Sequence, residues 1–436
     1  MNFTYGGVML ERLFKLKEHK TNVKTEIAAG ITTFMTMAYI LIVQPTFMSA
    51  AGMDIGAVTV VTALLSAVFS ILMGLYTNLP FVIAPAMGSN AFFAYTLVAG
   101  GIVSWQTALG MVFISGVLFI LLTVLGLREV IVSLIPKNVK HAISVAIGFY
   151  IVSLGFSNGG LMVINGSMIE MGDVTNPAVL LTIIGLVILI FLNSRKTKGG
   201  ILIGIIATTI IGIPLGITHI PNSLVSMPPS INSIAFKLDI MDALKWSFFP
   251  LMFSFFVGDF FSTLGTLIGV SAKADLLDEN GDLPNINKPF FIDALATTVG
   301  ALFGSTTLTT FIESAAGVEE GGRTGLTAIT AGMCFALTMF LTPIATMIPN
   351  QATAPALIMI GLLMITSIKD IELYDFTESF PAFATIVFMI FTSNIANGIS
   401  IGIISYALTK LLSGKYKEIH WGTYILCIPL IAYFII

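Results

Sequence analysis

Long apolar runs, following one another almost without interruption, limit this chain more than any other feature. Between charged or Pro/Gly breaks we read fourteen of them. Seven occupy 27–48, 57–77, 81–98, 105–125, 139–156, 178–193 and 200–217; the others occupy 246–270, 289–304, 308–318, 324–348, 353–367, 380–396 and 398–412. About 20 apolar residues, rising 1.5 Å each as a helix, cross the hydrocarbon core of a bilayer. That core offers no water to backbone amides, so spanning segments must close their hydrogen bonds internally. The expected fold is an all-α polytopic membrane protein. A fifteenth run, 421–436, is marginal as a span.

Composition removes the competing classes. Hydrophobic residues make up 56% of the 436 and charged ones only 10%, against about 25% charged in soluble domains. Net charge is −3, which leaves no basic surface for a nucleic acid backbone. Cys334 and Cys427 sit in apolar runs, and His19, His141, His219 and His420 lie far apart. Neither set forms a disulfide framework or metal-ligand spacing, so no metal and no organic cofactor is expected. Residues 1–26 are polar and charged, and the apolar run after them is too long for a cleaved signal peptide.

Charge asymmetry tests the span count. If the N-terminus is cytoplasmic, fourteen crossings put 18 of the 20 basic residues on the cytoplasmic side and leave Lys237 and Lys245 outside. This is the split the positive-inside rule demands. The inner (plasma) membrane of the cell is the expected location. The longest break, 218–245, falls at the midpoint, with seven crossings on either side. An odd number per half makes the halves inverted. Weak symmetry agrees: Gly200-Ile201-Leu202-Ile203-Gly204 matches Gly398-Ile399-Ser400-Ile401-Gly402 at the seventh span of each half. Inverted repeats are a hallmark of secondary transporters.

In such folds the ligand site lies where a pair of equivalent spans is broken by Gly or Pro. Here the third and tenth qualify. Leu79-Pro80-Phe81-Val82-Ile83-Ala84-Pro85-Ala86-Met87-Gly88-Ser89-Asn90 carries two prolines and a glycine before a helical pattern starts, with Ser89 or Asn90 as its expected N-cap. The stretch 305–312 is β-branched and reads as extended, and Glu313-Ser314-Ala315-Ala316 starts the helix. Each span is expected to enter as extended chain and continue as a half-helix whose amides face a polar ligand. Two acids lie deep in spans: Asp259, alone among apolar residues, and Glu313 at the break. An intramembrane acid costs about 2.5–3.5 kcal/mol to insert and is a functional candidate by default. The bland reading is that either one only ties helices together. Glu319, Glu320 and Arg323 read as a solvated or gate-contacting loop. The stretch 275–282 fails the calcium-loop pattern. Leu10-Glu11-Arg12-Leu13-Phe14-Lys15-Leu16-Lys17 reads as a basic amphipathic helix on the inner leaflet.

Several of these stretches resemble one family. Gly30-Ile31-Thr32-Thr33-Phe34-Met35-Thr36-Met37-Ala38-Tyr39, the segment from Ala84 to Tyr95, Gly258-Asp259, Leu277-Asp278-Glu279-Asn280-Gly281-Asp282 and above all Phe311-Ile312-Glu313-Ser314 through Thr327 are similar to the AzgA-like purine permeases of the nucleobase–ascorbate transporter superfamily. The resemblance covers nearly the whole chain. It implies a 7+7 inverted repeat, with a core domain over 27–125 and 246–348 and a gate domain over 136–217 and 353–412. The repeats would occupy 27–217 and 246–412, joined by an external linker at 218–245 and followed by a tail at 413–436. It implies uptake of adenine, guanine or hypoxanthine by proton symport, with H⁺ the coupling ion. Asn90, Asp259, Glu313 and Ser314 are the implied substrate-binding residues, and Asp259 and Glu313 the implied proton carriers. Where the family usually reads Gly-Met-Gly-Leu-Asn, this chain has Ala86-Met87-Gly88-Ser89-Asn90. The lipid bilayer and a purine are the expected partners, nucleic acid is not, and a homodimer is compatible with the sequence.

Two rival readings are weighed beside it. An anion carrier on the same architecture suits half-helix N-termini, but the two broken spans and the eighth together carry two acids and no basic residue in their membrane interior. An intramembrane aspartyl protease would need Gly at 256, where the chain has Phe, and a second intramembrane acid where Asp375 sits in a charged loop.

Overall fold

The computed structural model describes residues 5–126, 134–165, 168–221, 223–278 and 283–435. Arg128 and residues 279–282 of the family-like stretch lie outside them. Among the described residues, nine helices are long and apolar enough to cross a membrane. They take up the first, second, fourth, fifth, sixth, eighth, eleventh, twelfth and fourteenth expected spans. The seventh, ninth and thirteenth are shorter helices, Gly200–Gly212, Asn287–Phe303 and Phe376–Thr392. Residues 421–436 contribute the helix Trp421–Ala432.

Polar residues at the run boundaries start these helices by accepting otherwise orphaned amides. Asp54 accepts Ala57 N–H at 2.6 Å at the head of span 2, and Ser104 accepts Thr107 N–H at 3.2 Å at the head of span 4. Asn176 and Asn394 do the same for spans 6 and 14. Span 1 is divided into Val23–Met37 and Ile40–Ala50, so that Tyr39 sits at the break.

The third and tenth spans open with short strands. Strand β1 is Ile83–Pro85; a hairpin of β2, Met162–Asn165, and β3, Met168–Met171, follows span 5; β4 is Leu308–Thr310. Strands β1 and β4 pair antiparallel, Ile83 opposite Thr310 and Pro85 opposite Leu308. Ala86 N–H extends the ladder to Thr307 O at 2.9 Å, and Phe311 N–H to Val82 O at 3.0 Å. The broken spans thus satisfy each other's backbone at membrane depth, where lipid cannot. Because the strands are antiparallel, the helices that follow them, Met87–Ala91 widening to a π-helix at Phe92–Ala99 and Ser314–Glu319, leave from opposite ends of the pair.

The spans pack in two groups. Span 11 lies on spans 1 and 2, span 9 on 4 and 2, span 8 on 4, and span 10 on 1 and 8. Separately, span 12 lies on 5, 6 and 7, and span 13 on 5 and 14. Equivalent spans of the two halves meet reciprocally. A Cβ on Gly148 of span 5 would lie 2.7 Å from Gly361 O, and one on Gly361 of span 12 only 2.5 Å from Gly148 O. Glycine alone lets these backbones touch. At the N-terminus, Phe14 and Leu16 pack against Leu326 of span 11, and Asn78 joins Phe14 O to Gly325 N–H.

Candidate functional site

Span 8 is oriented by its aromatic face. Phe260 packs on Phe119 and Phe290, with ring centroids 5.4 and 5.3 Å apart, while Phe255 meets Phe92 of span 3 at 5.1 Å. Residues four apart share a helix face, so Asp259 and Thr263 continue the Phe255 stripe toward the broken spans. Asp259 is 1% exposed. Its Oδ2 accepts Thr297 Oγ1 at 2.7 Å, and its Oδ1 is buried without a partner. Thr297 also contacts both the carbonyl and the amide of Leu308, at 2.9 and 3.1 Å, and so ties Asp259 to β4.

Asn90 is fully buried and its side chain donates nothing: its Oδ1 accepts from the Thr306 hydroxyl, and its Nδ2 has no partner. It does not cap the helix as the sequence suggested. That helix starts at Met87 with Ala86 as its cap, because extended backbone ends where pairing with span 10 ends. Asn90 instead sits one turn in, facing Thr306 ahead of β4.

Glu313 precedes the helix Ser314–Glu319 without a side-chain capping bond, and its Oε1 accepts the Tyr39 hydroxyl at 2.6 Å from the break in span 1. A cavity of about 170 Å³ opens beside it, lined by Thr36, Asn193, Thr197, Gly199 and Met359 among others. A larger cavity of about 570 Å³, near Tyr406 and Trp421, touches none of these acids. Ser314 Oγ accepts Val82 N–H at 3.1 Å, which fastens span 10 to the strand entering span 3. The four sequence-named residues therefore gather around the β1–β4 pair. No hydrogen bond joins Asn90, Asp259 and Glu313 to one another among the described residues; threonines and Tyr39 connect them to the scaffold.

Sequence reasoning passed over several residues here. Asp293 of span 9 is fully buried, and its Oδ1 accepts both the amide and the hydroxyl of Thr310, at 2.7 and 3.0 Å. Its Oδ2 accepts Thr263 Oγ1 at 2.6 Å. It thereby holds β4 extended one helical turn from Asp259. The signal was available, since any acid within a span qualifies. Gln44 of span 1 is buried with both amide atoms unpaired. Glu26 was assigned to the polar N-terminus; it is fully buried and gathers the start of span 11. It accepts Arg323 N–H at 2.9 Å, Thr327 N–H at 3.2 Å and Thr327 Oγ1 at 2.6 Å. The Gly-rich stretch after Glu313 is thus a turn folded around a carboxylate, with Arg323 on Val318 O and Glu319 on Lys273.

Comparison with known proteins places this arrangement. A family model described as "Permease family" matches residues 24–401. The adenine permease AdeP of Escherichia coli is 41% identical over 95% of this chain and 94% of its own. The guanine/hypoxanthine permease PbuO of Bacillus subtilis is 39% identical over 94% of this chain and 96% of its own. Among solved structures, the transmembrane domain of the cyanobacterial bicarbonate transporter BicA superposes with a TM-score of 0.64 at 19% identity, covering 86% of this chain and 97% of that one. At that identity the likeness is one of fold, the 7+7 inverted repeat.

Proposed function

The chain belongs to the permease family as an AzgA-like member of the nucleobase–ascorbate transporter superfamily, and from that premise we propose that it imports purine nucleobases by proton symport. The observation that carries this reading is that buried polar atoms are left open near the β1–β4 pair, among them Asp259 Oδ1, Asn90 Nδ2 and the hydroxyls of Ser305 and Thr307, while Glu313 lines a cavity nearby. A purine is flat and neutral, with N–H donors and ring-nitrogen acceptors on its edges. Carboxylates accept from the former, and an amide NH₂ donates to the latter. Glu313 holds the base through its N–H edge, Asn90 donates to a ring nitrogen or carbonyl, and Asp259 binds the base or relays the proton. Ser314 shapes the site by fastening spans 3 and 10.

Neither acid has an ion-pair partner among the described residues. An uncompensated charge is costly at buried Asp259 and, to a lesser degree, at half-buried Glu313, which links proton occupancy to substrate occupancy. Spans 1–4 with 8–11 form the core and carry all four residues, while spans 5–7 with 12–14 form the gate. The packing of spans within these two groups supports a rigid core that moves against the gate and exposes the site alternately to each face. The N-terminus and the basic connections face the cytoplasm, in the inner membrane.

The test is uptake of radiolabelled adenine, guanine and hypoxanthine by cells lacking their own purine permeases, with and without a protonophore. Protonophore-sensitive uptake of at least one base is expected, and it should be lost in Asp259→Asn and Glu313→Gln at normal membrane levels. A well-expressed wild type that takes up none of the three would overturn the substrate assignment.

A further inference from the structure

The cavity beside Glu313 lies on the seam between the two packing groups. Thr36 of span 1 and Glu313 of span 10 come from one side; Asn193, Met359, Leu363 and the turn at 197–200 come from the other. That turn, between spans 6 and 7, is tight: Lys196 and Gly199 both have positive φ, 52° and 65°. It rests on span 1, since a Cβ on Gly199 would lie 3.1 Å from Met35 O. Within it, Lys198 forms an ion pair with Glu320. Glu320 ends the short helix that Glu313 begins. One helix therefore presents its first acid to the cavity and ties the cavity's opposite wall with its last.

We propose that the turn at 197–200 is the lid on the basic-side mouth of the nucleobase cavity, held shut across the core–gate seam by Lys198 and Glu320. This rests on the transport reading above and adds to it a release route and the contact that controls it. Movement of one group against the other must break this pair, because its partners belong to different groups. With the pair intact, Thr197, Gly199 and Gly200 wall the space beside Glu313; with it broken, the contact of Gly199 with Met35 of span 1 remains. The pair is partly exposed, Lys198 57% and Glu320 32%, so its contribution is modest and adjustable, as a working lid requires.

Thiol accessibility tests this independently of transport. In a chain carrying Cys334→Ala and Cys427→Ala, Thr36→Cys places one thiol inside the cavity. Inside-out vesicles are treated with a small cationic methanethiosulfonate and the labelling rate is read. Lys198→Ala and Glu320→Ala should each speed labelling by about two- to fivefold, the range an exposed ion pair commands. The exchanged pair, Lys198→Glu with Glu320→Lys, should return it toward the starting rate. Unchanged labelling in the single variants overturns the lid, and so does an exchanged pair that labels as fast as they do. Adenine, guanine and hypoxanthine are then added as protectants. Labelling that follows the ion pair while no base protects, together with absent uptake, keeps the lid and removes the substrate reading. Protection by a base with labelling indifferent to the pair does the reverse.

Discussion

Tyr39 shows what single side chains do at this site. Its hydroxyl meets Glu313 at 2.6 Å across a separation of 274 residues, and it is 1% exposed. It does not bind the base in our assignment; it fixes the carboxylate's rotamer. Tyr39→Phe keeps the ring packing and removes the donor. We expect uptake with apparent affinity weakened about fivefold, corresponding to about 1 kcal/mol for one hydrogen bond, and a maximal rate changed less. Loss of maximal rate at unchanged affinity would assign the hydroxyl to proton transfer instead. Asp293 acts on backbone rather than ligand. Asp293→Ala leaves the Thr310 amide and two hydroxyls without their acceptor, at about 1–3 kcal/mol for a buried unsatisfied group. The melting temperature of the solubilised protein should fall by several degrees. Asp293→Asn retains an acceptor oxygen and should fall less. Equal melting of all three forms would mean that β4 does not depend on Asp293. Asp259 and Glu313 were legible from sequence because each stood out against an apolar background. Asp293 stood out as well, and only its contacts reveal that its acceptor bonds are already spent, two on Thr310 of β4 and one on Thr263 of span 8.

At the scale of elements, the broken spans and the glycine contacts set the geometry. Strands of three residues would not persist alone; β1 and β4 do because each supplies the hydrogen bonds the other lacks in a medium without water. The β-branched run at 305–312 announced extended chain, yet its partner strand and register follow from the packing of two spans more than 200 residues apart. The same pairing moved the helix start in span 3 from the expected Ser89 or Asn90 to Met87, since hydrogen bonding to Thr307 holds Ala86 extended. The crossing of spans 5 and 12 depends on two glycines. Gly148→Ala puts a methyl group 2.7 Å from Gly361 O, and overpacking of this kind costs about 1–3 kcal/mol. A thermal-shift comparison should show Gly148→Ala destabilised beside Gly265→Ala, a helical glycine with nothing within 4 Å of its Cβ position. If the two substitutions behave alike, the backbones of spans 5 and 12 can separate without cost.

The whole molecule is an inverted pair of seven-span repeats, and its two faces differ in charge. The basic residues crowd one set of connections, while 218–245 on the opposite face carries only Lys237 and Lys245. Alkaline phosphatase inserted in 218–245 should be active, and a fluorescent protein fused after 412 should fold and fluoresce. Activity on the same face at both sites would break the count of seven crossings between them; exchange of the two results would reverse the orientation. By itself, the sequence determined the number and order of spans, because apolar length must match the thickness of the hydrocarbon core. It also marked the two broken spans and two of the acids within spans, because Gly, Pro, β-branched runs and carboxylates are conspicuous among Leu and Ile. Only the tertiary structure decided which polar atoms are paired and which are left open. Tyr39 with Glu313, Glu26 with Thr327 and Asn90 with Thr306 are contacts between distant segments. Lipid-facing and protein-facing helix surfaces are both apolar, so hydrophobic patterning does not say which faces meet. The close fit of small residues and the hydrogen bonds between helices settle that once the spans are packed.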